Sequence, residues 1–173
     1  METIMSVKKI LSGFVLLLLL GSGIVVAADF DKGLKAFKSE DFKTALREWT
    51  TIAKKGNALA QNALGEMYRK GQGVLKNDKT AVKWWTMAAK NGNAHAQTSL
   101  AYMYQSGTGV SKSDKAALKW LALAADQGHA HAQLSLGIMA EGGHGRPQNN
   151  REAVRWFTLA AEQGNRTSQH RLG

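Results

Sequence analysis

Cysteine is absent from this 173-residue chain and proline occurs once, at Pro147. The first absence excludes disulfide scaffolds, thiolate zinc sites and cysteine nucleophiles, and leaves the redox compartment undetermined. The second excludes Pro-rich linkers between domains. Acidic residues are also scarce, with 13 Asp and Glu against 23 Lys and Arg, a formal net charge of +10. Glycine is plentiful at 18 residues. Together these features describe one helical domain punctuated by glycine turns.

A basic balance of this size suits nucleic acid, anionic lipid or polysaccharide, or an acidic protein. The N-terminus narrows the choice. Lys8 and Lys9 precede an apolar run from Ile10 to Leu20, then Gly21-Ser22-Gly23 and "IVVAAD". A basic flank, an apolar segment and a small-residue exit form a secretory signal over residues 1–28. Val26 and Ala28 occupy the two positions read by a signal peptidase, so cleavage is expected between Ala28 and Asp29. An uncleaved anchor is the alternative, since Ile10 to Val26 reaches the minimum spanning length of about 17 residues. Either way the remainder is expected outside the membrane, periplasmic or secreted, where no nucleic acid awaits its lysines.

The chain repeats itself every 36 residues. Ala58, Ala94 and Ala130 open three copies; Gln61, Gln97 and Gln133 follow, then Leu64, Leu100 and Leu136, and Met67, Met103 and Met139. Trp84, Trp120 and Trp156 hold the same register, and Gly92, Gly128 and Gly164 close the copies. Such a period means stacked supersecondary units. Each copy predicts two helices: one from about residue 58 to 70 in the first copy, ended by Gly71, and a second N-capped by Asp78, Asp114 or Asn150. The expected organisation is a capping helix pair over residues 29–57, repeats over 58–93, 94–129 and 130–165, and the start of a fourth copy over 166–173.

The string "ALAQNALGEMYRKGQGVLKNDKTAVKWWTMAAKNGN" resembles the Sel-one-like repeat family, relatives of the tetratricopeptide repeats, and the resemblance covers nearly all of the chain beyond Ala28. It implies an all-α fold, a right-handed α-α solenoid of antiparallel helix pairs, and a non-catalytic scaffold that binds other proteins on its concave side. The third copy departs from the pattern with Ala140 for tyrosine, Arg146 for valine and Pro147 in the loop, so a rebuilt loop is expected there.

Comparing the copies with one another separates two faces of the first helix. Residues facing identical neighbours should agree; residues facing anything else are free to differ. The differing positions lie on one half of the helical cylinder. They are Leu59, Asn62, Glu66 and Arg69 in the first copy and His95, Thr98, Tyr102 and Gln105 in the second; the third has His131, Leu134, Ile138 and Glu141. These twelve form the expected partner-binding groove, with Tyr102 as an apolar anchor and Leu134 and Ile138 either further anchors or covered by the truncated fourth copy. The tryptophan ladder is expected to be inter-helix packing. Lys79, Lys83, Lys90, Lys115 and Lys119 are expected on a basic outer face, which offers a second functional reading: an envelope-surface or glycan-binding protein.

Catalytic chemistry has no residues to support it. "GQGV" and "GTGV" lack the preceding strand and the Lys-Ser/Thr of a phosphate loop. His95 and His131 share a repeat position and could stack, but two ligands fall short of a metal site. Neither a cofactor nor a metal is expected; the expected partner is another protein or peptide segment of the cell envelope or a host, with membrane contact only if the N-terminal segment stays uncleaved or the basic face binds an anionic surface.

Overall fold

The computed structural model describes residues 29–172; the expected signal segment lies outside them. The described residues form helices α1 (residues 29–38), α2 (Phe42–Ala53), α3 (Ala58–Lys70), α4 (Asp78–Lys90), α5 (Ala94–Ser106), α6 (Asp114–Asp126), α7 (Ala130–Gly142), α8 (Asn150–Glu162) and α9 (Arg166–Leu172). Among the described residues there is no strand, and each helix from α2 onward packs on its chain neighbours. The fold is the expected all-α solenoid.

Local chemistry sets the helix ends. Asn57 and Asn93 accept a hydrogen bond from the backbone N–H three residues on, each at 2.8 Å, which satisfies one of the orphan donors of α3 and α5. The second helices are capped one residue earlier than expected, by Asn77, Ser113 and Asn149. Asp78 and Asp114 are instead the first helical residues, where a negative charge faces the positive end of the helix dipole. The first helices stop at glycine in the left-handed conformation, as at Gly107 with φ 71°.

The third loop is not rebuilt. Asn149 N–H donates to Ala140 O at 2.8 Å, matching Asn77 to Tyr68 and Ser113 to Tyr104 in the other copies. Pro147 fits because it occupies the place of Leu75 and Ser111, whose N–H groups make no backbone hydrogen bond.

A ladder of amides ties one repeat to the next. Gln61, Gln97 and Gln133 are buried, and their Nε2 groups donate to Ala53 O, Ala89 O and Ala125 O at 2.9, 3.1 and 3.4 Å. Those carbonyls end the preceding second helix and already accept from the backbone N–H of Gly56, Gly92 and Gly128, so the amide is a second donor to each. The Oε1 atoms accept from Asn91, Gln127 and Gln163 at 3.0, 2.8 and 2.8 Å. Gln169 repeats the rung on Ala161 O at 3.1 Å, so α9 docks in the register of a first helix.

The tryptophan ladder packs between helices as expected, but it is not the deepest layer. Trp84, Trp120 and Trp156 are only half-buried, and Trp120 bridges the clusters of two successive repeats. The deep positions are their neighbours Trp85, Leu121 and Phe157, which differ from copy to copy yet are all but sealed from solvent. Their variation is absorbed by the residue beneath: Gly65 under Trp85, Ala101 clustered with Leu121, and Gly137 under Phe157. A large ring demands a glycine, and the smaller leucine leaves room for a methyl.

Candidate partner-binding groove

Pocket geometry on the first-helix side centres on Tyr102. One pocket of about 380 Å³ is lined by residues of α3, α5 and α7 together with His129, and includes Asn62, Glu66, His95, Thr98 and His131. A second, of about 540 Å³, brings Arg69 and Gln105 together with Lys76, Asp78, Ser106 and Thr108. Tyr102 lines both. Its ring is 46% exposed, and its hydroxyl is fixed 2.9 Å from Ser135 Oγ on the next first helix. An aromatic body with an anchored polar end is pre-ordered for contact at little entropic cost.

Eight of the twelve divergent residues therefore meet around Tyr102, and four do not. Leu59 is exposed without lining either pocket. Glu141 is engaged by Arg171 of α9. Leu134 and Ile138, expected as anchors or as covered by the truncated fourth copy, are half-buried against the cluster of Ala140, Ala153 and Phe157. Thr98 also departs from expectation: it lines the pocket with only 4% of its surface exposed. Part of the stripe is covered by the second helix of its own repeat, so divergence between copies does not guarantee exposure.

Glu66 is paired with Arg69 at 3.6 Å and Lys70 at 3.2 Å. Pairs this exposed hold side chains loosely, leaving them free to exchange partners with an incoming segment.

His129 was not among the expected groove residues, although the same comparison points to it. It stands where the other copies place Asn57, Asn93 and Asn165, all of which cap a helix through their side chains. His129 makes no side-chain cap bond to α7. Its Nδ1 lies 3.0 Å from Thr98 Oγ1 and its Nε2 lies 3.2 Å from His95 Nδ1. The Thr98 hydroxyl donates to Ala94 O at 2.9 Å, so it accepts from His129 Nδ1–H. His129 Nε2 is then the acceptor for His95. The two imidazoles meet edge to face at 4.6 Å, so His95 stacks on His129 and not on its repeat equivalent His131. Among the described residues no group of three or more His, Asp or Glu is arranged to hold a metal ion.

Burial, then the charges of His95 and His131, hold the His129 pKa below the ordinary value of 6.5. The unfolded chain therefore binds a proton at His129 before the folded chain does. The resulting stability is present above about pH 6.5 and is lost as pH falls through that value toward the lower folded pKa. Thermal melting should show the midpoint dropping between pH 7 and 5, and His129→Asn should flatten that drop. The same variant restores a capping side chain and should add about 1 kcal/mol at pH 7. An unchanged pH slope in His129→Asn would remove His129 as the source.

The comparisons with known proteins agree with this architecture. The Sel1 repeat family model matches residues 58–93, 94–129 and 130–165. The chain is a Sel1-repeat protein. It is similar to a Sel1 repeat protein from Oxalobacter formigenes, at 36% identity over 81% of this chain with a TM-score of 0.78. It is also similar to c5321, a protective antigen present in uropathogenic Escherichia coli strains, at 33% identity over 83% of this chain with a TM-score of 0.80. The matches span 58% and 32% of those two proteins. Cysteine rich protein B of Helicobacter pylori, at 18% identity and a TM-score of 0.61, over 75% of this chain and 93% of its own, shares the fold. No curated protein matches the chain. Sel1-repeat proteins generally mediate protein–protein interaction.

Proposed function

We propose that this Sel1-repeat protein is an exported, non-catalytic scaffold that holds a segment of another protein in the groove around Tyr102. The observation that carries the reading is the meeting of eight divergent residues from the first helices of all three repeats in two adjoining pockets. The groove offers an exposed aromatic, exchangeable ion pairs and polar side chains on a rigid framework. These suit additive contact with an extended segment, a few anchors supplying most of the affinity. The signal-like N-terminus supports export and points to a partner in the cell envelope or on a host.

A photo-crosslinker at Gln105 tests the proposal. It should join the protein to one discrete partner in the envelope fraction, whereas the same group at Lys119 should not. Tyr102→Ala should reduce the adduct by roughly thirtyfold, the loss typical of a central aromatic anchor worth about 2 kcal/mol. Its melting temperature should hold, because the ring is half exposed. Ile138→Ala should lower stability instead, since Ile138 packs against the Phe157 cluster. Equal labelling from Gln105 and Lys119 would overturn the groove reading.

A further inference from the structure

The face opposite the core of the second helices carries a regular charge lattice. On α4 the buried residues are Ala81, Trp85, Ala88 and Ala89. At 100° per residue, Lys79, Lys83 and Met87 fall on the opposite side. The pattern recurs every 36 residues. One row runs Lys43, Lys79, Lys115 and Arg151 across α2, α4, α6 and α8, and the row beside it runs Arg47, Lys83, Lys119 and Arg155. All eight are exposed, and only Arg47 has an ion-pair partner among the described residues. The rows therefore repel one another while nothing neutralises them.

Beside the cations, one turn further along each helix, lie Met87, Leu123 and Leu159, exposed by 42, 48 and 41%. They share one repeat position and face away from the core, so packing gives no reason for them. A soluble polyanion would use the cations alone. A bilayer surface uses both features, phosphates meeting Lys and Arg while apolar side chains enter the headgroup boundary. Asp126 and Glu162 stand beyond the apolar row at the last residue of α6 and α8, so contact runs from the cation rows to Met87, Leu123 and Leu159 and falls off at these helix ends.

We propose that this face docks on an anionic phospholipid bilayer, with the paired cation rows on the lipid phosphates and Met87, Leu123 and Leu159 entering the interface. Docked this way, the second helices lie on the membrane and the Tyr102 groove faces away from it.

The chain has no cysteine, so Leu123→Cys gives a single attachment point for an environment-sensitive fluorophore. In the full chain, this label should shift to the blue with vesicles containing roughly a third phosphatidylglycerol and stay unchanged with pure phosphatidylcholine. A label at Gln105→Cys should respond to neither. The apolar run before residue 29 is common to every protein compared and lies outside what a label at 123 reports. Lys83→Glu with Lys119→Glu should raise the lipid needed by more than twentyfold, each cation near an anionic surface being worth roughly fivefold. If that pair of changes impairs folding, 1 M salt on the labelled parent makes the same test, since charges then reach only about 3 Å. Equal shifts on both lipids, a shift that survives charge reversal or 1 M salt, or a response to dextran sulfate with none to anionic vesicles would each overturn the proposal.

Discussion

Gly65→Ala should destabilise the protein, although alanine is the better helix former by about 1 kcal/mol. A methyl at position 65 would come within 2.5 Å of Trp85 Nε1 and 2.6 Å of Cδ1. The indole is sealed in the core, 1% exposed. Overpacking of this kind costs about 1–3 kcal/mol, or several degrees in melting temperature for a chain of this size. Trp85→Ala should cost about 3–5 kcal/mol by emptying the same space. The decisive variant combines Gly65→Ala with Trp85→Leu, which rebuilds in the first repeat the Ala101–Leu121 pair of the second. Its stability should exceed the sum of the two single changes by more than 1 kcal/mol, since the methyl occupies space vacated by the ring. Simple additivity in that cycle would mean that the two positions are not a packing unit.

Gly109→Ala should be the most damaging change in any loop. The residue has φ 68°, where a side chain is strained, and a Cβ there would lie 2.6 Å from both the carbonyl carbon and oxygen of Asp78. Those atoms are backbone at the start of α4 and cannot swing aside as a side chain might. The strain costs about 1–2 kcal/mol by itself, and relieving the clash must push the loop off the preceding repeat. A combined loss of roughly 3 kcal/mol is expected in denaturant unfolding. Gly92→Ala makes the comparison informative. Gly92 has φ 83° but open space around it, so it should pay the conformational cost without the clash. Equal losses at the two positions would show that the repeat interface tolerates the methyl.

The helices and their stacking were legible because a strict period leaves few other solutions. Gln61, Gln97 and Gln133 recur because each bonds a carbonyl of the preceding helix, a requirement that every junction shares. Caps were misplaced by one residue because Asn77-Asp78 and Asn149-Asn150 each offer two capable side chains, and Ser113-Asp114 does the same. Only the turn geometry chooses between them. The site was half legible: divergence between copies found Tyr102 and its neighbours, but it also selected Thr98, which lies under His129, and Leu134 and Ile138, which pack against Ala140, Ala153 and Phe157 of their own repeat. Restricting the comparison to the helix itself passed over His129, which lies one residue before α7.

By itself, the sequence determined that this is an α-solenoid of three 36-residue repeats behind a capping pair, with its cations in register on the second helices. Backbone propensity, glycine stops and repetition act locally, and they can be read without knowing what touches what. Only the tertiary structure decided that Trp85, Leu121 and Phe157 are the deep residues and that His129 turns from its helix toward Thr98. Both depend on contacts across helices, where one side chain can vary freely as long as the volume facing it varies in the opposite sense.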